Sequence, residues 1–277
     1  MERRELLLMG VEGLRVHRLR SMLTMLGIIF GVAAVIAMLS IGEGAKREAL
    51  AKYKVLGVNN IIVRDKQLSQ KELEEVRAKF SKGLSLADAE AIRKIVPTID
   101  LVAPQSEYKT EARFEDLTGA VTVVGITEDY AEILNYVPSK GSFINRDQHA
   151  RQLRVCVLGD EAAKKLFPVQ DPIGKKVKLD DQWFEVVGVM GAKSLFTETV
   201  GELASRNLNQ DVYIPLSSFL RRFTKPEPLA SGIDQLTIRI PNSENLLESA
   251  AVIRRIIERR HRGNEDFDIV IPYELLK

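Results

Sequence analysis

Cysteine and histidine are scarce in this sequence, with one of the former and three of the latter among 277 residues. A single thiol, Cys156, excludes an intrachain disulfide, and its place within Leu153-Arg-Val-Cys-Val-Leu158 reads as a small buried hydrophobe on a strand. His17, His149 and His261 are far apart and show no HExxH or paired-cysteine spacing, so a zinc site lacks a ligand set. His261 lies in the basic run Arg259-Arg-His-Arg262, where a solvated helix end complementing the C-terminal dipole is expected. Excess charge is lacking too: 40 Lys and Arg against 38 Asp and Glu leave +2. That balance excludes the concentrated basic face of a nucleic-acid binder. Gly141-Ser142 has no second glycine to make a GxSxG elbow. Pro172-Ile-Gly-Lys-Lys176 departs from GxxxxGK[ST] and leads into a strand. The acid pairs Glu74-Glu75 and Asp180-Asp181 fall in surface and turn contexts. No catalytic, cofactor-binding or metal-binding residue is therefore expected.

What the chain does have is one long run without charge, Ser21 to Gly42, SMLTMLGIIFGVAAVIAMLSIG. As a helix its residues reach roughly 33 Å, enough to cross a hydrocarbon core of about 30 Å. A signal peptide has a shorter apolar core, about 7–15 residues, ending at a small-x-small site. Here Ala34 and Ala37 lie inside the run and apolar residues continue to Ile41, so residues 20–42 are expected to be a retained transmembrane helix. Within it Thr24, Gly27, Gly31 and Ala34 recur at three- and four-residue spacing and share one face. Gly27-x-x-x-Gly31 would let a second helix approach closely, which makes these four a candidate helix-packing face. Residues 1–19 place Leu7, Leu8, Val11, Leu14 and Leu19 on one side of a helix and Arg3, Arg4, Glu12, Arg15 and Arg18 mostly on another. That is the pattern of an interfacial amphipathic helix, with Arg3, Arg4, Arg15, Arg18 and Arg20 as membrane-surface basic residues. Those five cations precede the span and Lys46, Arg47, Lys52 and Lys54 follow it, so charge alone leaves the orientation open.

Beyond the span, Glu43 to Tyr53 is rich in helix formers and should continue as a stalk as far as Gly57, before a short strand at 61–63. Asp65 to Lys82 is a charged surface excursion with Ser69-x-x-Glu72 as a capping box. Ser85-x-x-Asp88 opens a helix with Leu86, Ala89, Ile92 and Val96 on one face, ended by Pro97. Strands are expected at 101–104 and 120–126, and then a helix over 130–134 capped by Thr127 or Asp129. A turn at 138–141, a buried strand at 154–158 and a helix over 160–167 follow. Residues 175–179 and 182–189 alternate around Asp180-Asp181 as a hairpin. Residues 191–210 read as loop with some helix, 211–215 as a strand and 225–228 as a linker. A βαβ-like unit closes the chain: strand 235–240, a helix over 244–262 and strand 267–271. In that helix Leu246, Ala250, Ile253 and Ile257 form the buried stripe and Gly263 is the stop. The fold class is an α/β (α+β) extracytoplasmic domain of mixed sheets and helices on a long N-terminal transmembrane and stalk helix.

The segment Leu19 to Ile36, continuing to Ile41-Gly-Glu-Gly-Ala45, closely resembles the first membrane helix of MacB-type ABC transporter permeases. Further pieces agree in order: Leu56-Gly-Val-Asn-Asn-Ile61, Val124-Gly-Ile-Thr-Glu-Asp-Tyr130, Val157-Leu-Gly159, Leu166-Phe-Pro168, Pro172-Ile-Gly-Lys175, and Arg260-His261 followed by Asp266-Phe267. The resemblance implies a bacterial inner-membrane protein with a cytoplasmic N-terminus and an extracytoplasmic core domain over 43–277. A membrane-proximal part, about 43–126 and 216–277, would carry a smaller inserted α/β part, about 127–215. It implies a non-catalytic permease subunit that works by mechanotransmission, with hydrolysis on a separate ABC ATPase subunit. The expected partners are that ATPase, a second permease in a homo- or heterodimer, the lipid bilayer and a periplasmic adaptor, with no nucleic acid. Such permeases carry three more membrane helices after this domain, so the sequence is expected to be an N-terminal portion. The alternative is a single-span anchored extracytoplasmic binding or adaptor protein.

Overall fold

Twenty-odd uncharged, mostly apolar residues followed by Ala, Glu, Lys and Arg favour the helical conformation. One helix, α1 (Arg18–Val55), accordingly runs through both the apolar run and the stalk. In the computed structural model the described residues are 18–55, 60–66, 83–193, 207–224, 232–264 and 266–271. The helix expected over residues 1–19 falls outside them apart from its last two residues. So do the capping box at 69–72, the acids at 74–75, most of the loop at 191–210 and the linker at 225–228. The chain divides into two units, 1–52 and 53–277.

Among the described residues the second unit is built on ten strands. These are β1 (Asn60–Asp65), β2 (Leu101–Phe114), β3 (Leu117–Ile126), β4 (Pro138–Gly141), β5 (Val155–Leu158), β6 (Lys176–Leu179), β7 (Gln182–Met190), β8 (Asp211–Pro215), β9 (Gln235–Arg239) and β10 (Phe267–Val270). Their order is β10-β1-β9-β2-β3-β8-β5-β7-β4, and β6 pairs with both β2 and β7. That extra pairing closes a ring, β2-β3-β8-β5-β7-β6. Alternate side chains from its strands meet in one core, among them Ala112, Val123, Cys156, Leu179, Phe184 and Ile214. Period-two alternation is what sends these residues to one face and their neighbours to the other. On that other face Val124, Ile126, Val157 and Tyr213 pack with Tyr130, Ile133 and Tyr136.

Helices α2 (Leu86–Ile95) and α7 (Leu246–Arg260) cover the rest of the sheet. Ala89, Ile92 and Val96 of the first, and Leu246, Ala250, Ile253 and Ile257 of the second, join Ile61, Val63, Val102, Leu236 and Ile238 in a separate core. Leu86 is the exception on its stripe, 42% exposed at the first helical position. The closing unit is a βαβ with a strand inserted: β9 and β10 each pair antiparallel with β1, which lies between them. Gly263 ends α7 as expected, at φ +75°, a conformation open to glycine without strain.

Four local expectations are corrected. The strand at 101–104 continues to Phe114 and turns at Glu115, φ 51°, into β3. Lys109, Glu111 and Arg113 face outward, alternating with partly or fully buried neighbours, and that polar surface disguised the strand. Residues 138–141 form an edge strand against β7 instead of a turn. Neither Thr127 nor Asp129 caps the helix that follows, α3 (Asp129–Ile133). Asp129 is its first residue and pairs with Arg93 at 3.1 Å. Two short helices escaped the pattern, α4 (Arg146–Ala150) and α6 (Leu216–Arg222). Gly125 shows why the second is held in place: Phe219 lies so close to β3 that a Cβ on residue 125 would come within 2.5 Å of the Phe219 Cβ. The remaining helix, α5 (Asp160–Leu166), forms where expected.

Candidate functional site: the span and the strand it feeds

Every large apolar side chain from Leu19 to Ile41 is exposed, and the most apolar 18 residues within Arg18–Ala45 have a mean hydropathy of 2.5. A surface of that size without a charged residue from Ser21 to Gly42 is stable only against lipid or another apolar partner. The Thr24 hydroxyl donates back to the Arg20 and Ser21 carbonyls at 3.0 Å, so the one polar group on the small-residue face is satisfied within its own helix. A Cβ added at Gly27 or Gly31 would meet nothing within 4 Å, so nothing within the described chain demands glycine there. Arg18 and Arg20 are exposed at the start of α1, whereas Arg3, Arg4 and Arg15 lie outside the described residues.

From the end of α1 at Val55 the chain reaches β1 within five residues. This strand is an internal one, bonded to β9 along one edge and to β10 along the other. Ile61 and Val63 are fully buried. Arg239 closes β9 at the end where β1 begins, its register partner being Asn60, and its guanidinium grips Asp100 and Glu132. The first strand after the helix is thus fastened on both sides and beneath.

At the opposite end of β1 lies a buried ionic cluster. The Asp88 carboxylate accepts the Ser85 backbone N–H at 2.9 Å and hydroxyl at 2.6 Å, the reciprocal half of the capping box. It is also bound by the Arg260 guanidinium and faces His261 Nε2 at 3.4 Å. His261 Nδ1 lies 2.6 Å from Asp266, whose backbone carbonyl takes the Lys66 N–H. His261 is only 5% exposed, which corrects the expected solvated helix end: α7 stops with this residue turned inward between two carboxylates. Burial alone would lower its pKa, but hydrogen bonds to Asp266 and Asp88 and their charges outweigh that and raise it to about 9. Burial likewise pushes Asp88 upward, and the bonds from His261, Ser85 and Arg260 prevail, holding its carboxyl well below the usual range. The sequence held one signal of this cluster, the ordered pair of Arg260-His261 and Asp266-Phe267.

A second perturbed group is Lys193, whose pKa burial lowers to about 8. Its amine donates to the Leu134 carbonyl at 2.8 Å and sits 4.8 Å over the Tyr136 ring, a structural pairing. His149 lies on α4, far in the chain from the buried cluster. Among the described residues no three His, Cys, Asp or Glu side chains come together to hold a metal ion.

An apolar helix able to cross a bilayer, continuing into a mixed α/β sheet domain, defines a membrane-anchored protein whose bulk lies outside the lipid. Residues 21–256 match the MacB-like periplasmic core domain family, and the chain belongs to that family. It is 29% identical over 256 residues to the pyoverdine export ATP-binding/permease protein PvdT of Pseudomonas syringae pv. tomato, covering 92% of this chain and 36% of that protein. It is 30% identical over 270 residues to the macrolide export ATP-binding/permease protein MacB of Bartonella henselae, covering 96% and 38%. The chain therefore spans well under half the length of these relatives. The crystal structure of the periplasmic region of MacB from Actinobacillus actinomycetemcomitans superposes with a TM-score of 0.63 at 20% identity, over 82% of this chain and 95% of that one, and so shares its fold.

Proposed function

We propose that this chain is part of a permease subunit in a MacB-type ABC exporter, coupling ATP hydrolysis on a separate subunit to substrate handling outside the membrane. The observation that carries this reading is the single helix α1, which leaves the apolar span and ends five residues short of a strand fastened on both edges. An unbroken helix is stiff over its length, so motion imposed at the membrane is carried along the stalk as far as Val55. In this reading the N-terminus is cytoplasmic, with Arg3, Arg4, Arg15, Arg18 and Arg20 at the inner membrane surface. Residues 43–277 are extracytoplasmic, in a membrane-proximal part of about 43–126 and 216–277 and an inserted part of about 127–215.

The partners are an ABC ATPase subunit, a second permease and the bilayer, and a periplasmic adaptor where the exporter spans two membranes. The chain itself contributes no catalytic residue and takes no cofactor. Thr24, Gly27, Gly31 and Ala34 form the face that meets the second permease. Gly27 and Gly31, which nothing within the described chain requires, are supportive of that role.

The test is the double substitution Gly27→Leu and Gly31→Leu in the full-length protein. Crosslinking between permease copies and stimulation of the partner ATPase should each fall about tenfold, as a lost packing interface worth ~1–2 kcal/mol predicts. Unchanged values for both would remove the packing face from the proposal.

A further inference from the structure

Helix α6 and the segment that enters β5 bring three arginines to one surface. Arg221 and Arg222 end α6, and Arg154 immediately precedes β5. Two serine hydroxyls of α6 hold the segments together: Ser217 donates to the His149 carbonyl, and the fully buried Ser218 to the Leu153 carbonyl at 2.7 Å. Arg221 Nη1 donates to the Gln152 side-chain oxygen at 2.9 Å, and Arg222 Nη1 reaches back to the Ser218 carbonyl at 3.4 Å. Neutral groups, and no acid, fix where these two guanidinia lie.

The turn before Arg154 is built around the same contact. Helix α4 ends in a Schellman motif, in which the Gln152 N–H bonds the His149 carbonyl and the Leu153 N–H that of Gln148. Gln152 therefore occupies the left-handed position, φ 53°, where glycine is the unstrained residue. A glutamine there supplies what glycine lacks, a carboxamide to hold Arg221.

Among the described residues no carboxylate pairs with Arg154, Arg221 or Arg222. The acids beside α4 are taken, Asp147 by Arg151 at 3.4 Å and Glu128 by Arg146 at 3.6 Å. Glu185, whose N–H bonds the Arg154 carbonyl, makes no ion pair with that side chain. Like charges brought together without a counter-charge repel one another, and a guanidinium does not give up its proton near neutrality, so a bound anion is what relieves the repulsion. Burial and the charges of Arg154 and Arg221 lower the Arg222 pKa, as expected of guanidinia within electrostatic reach of each other. The whole chain carries only +2, so this local excess is not part of a general basic surface.

We infer that Arg154, Arg221 and Arg222 form a binding site for a phosphate-type oxyanion, with Gln152 as the residue that positions Arg221. Guanidinium forks match tetrahedral oxyanions two N–H groups at a time, and forks converging from two segments suit a compact dianion better than an extended acidic chain. The phosphoryl group belongs either to a soluble phosphate or to a lipid headgroup, which present the same oxygens. The site stands apart from the transport reading, so either can fail without the other.

Inorganic phosphate titrated into the 277-residue chain in uncharged detergent micelles, with ionic strength held at about 0.15 M by chloride, tests this through the backbone amide NMR shifts of residues 152–154 and 219–223. The shifts should saturate, and Arg154→Gln and Arg222→Gln should each weaken binding about tenfold. Gln152→Gly, which suits the left-handed backbone, should keep or raise the melting temperature yet weaken phosphate binding about threefold, a split that a merely structural glutamine would not give. Unchanged binding in that variant would remove Gln152 from the site. Nanodiscs of phosphatidylcholine with and without phosphatidic acid separate the two sources. Shifts already present in the phosphatidic acid discs before phosphate is added assign a lipid headgroup, and their absence there assigns a soluble phosphate. A response that never saturates, binding undiminished in both arginine variants, or preference for a polyglutamate peptide over phosphate would each overturn the site. Should Arg222→Gln not fold, Arg154→Gln at its exposed position decides the matter by itself.

Discussion

Gly27 and Gly125 are the same residue under opposite constraints. An added methyl at Gly125 collides with Phe219, so Gly125→Ala should cost about 1–3 kcal/mol in an unfolding experiment on the chain alone. At Gly27 it meets open space, so Gly27→Ala should leave that stability unchanged or slightly raised, since alanine is the better helix former by ~1 kcal/mol. Weaker association of permease copies without lost stability would show that Gly27 serves a partner. His261 sets the pH response. Its folded pKa lies above its ordinary 6.5, so its stabilisation is complete below that value and lost as pH rises through about 9. Asp88 is shifted down, so its stabilisation is present above its ordinary 3.8 and lost only on acidification well below that. Unfolding measured against pH should therefore show a plateau between these limits, with the alkaline decline absent in His261→Gln. The sequence displayed the basic run around His261 and Asp266 five residues on, but not their meeting with Asp88, which lies 173 residues away.

The elements most plainly written in the sequence are those with one uninterrupted period. Helix α1 needed only its missing charges, and α7 only the spacing of Leu246, Ala250, Ile253 and Ile257. Ile253→Ala, at a fully buried position of that stripe, should cost about 2–5 kcal/mol by chemical denaturation. The elements that were hidden are held by distant contacts. β4 exists because β7 offers it an edge, and α6 because Gly125 leaves room for Phe219. In β2 the outward residues are charged and the inward ones partly small, which blurs the alternation a strand normally shows. For α1 the critical property is continuity. Ala45→Pro would remove a backbone donor and clash with the preceding turn, a cost of about 3 kcal/mol borne by the helix alone. In the full-length permease it should abolish export while the thermal unfolding of the sheet domain stays unchanged.

At the scale of the molecule, one unit is a helix exposing apolar side chains on every side and the other is a sheet domain with its own cores. Such a division suits a part that receives motion in one medium and delivers it in another. The sole cysteine, Cys156, is fully buried, which leaves engineered cysteines as the sites a spin label can reach. Gly44→Cys reports on the helix and Val169→Cys, at a 94% exposed position, on the sheet domain. Inter-copy distances measured at both sites in the full-length permease with its ATPase, with and without a non-hydrolysable ATP analogue, test mechanical coupling most directly. The account predicts that nucleotide changes the distance at both sites together, and that Ala45→Pro keeps the change at residue 44 and loses it at residue 169. A nucleotide-dependent shift at residue 44 with residue 169 fixed in the otherwise unsubstituted protein would contradict it.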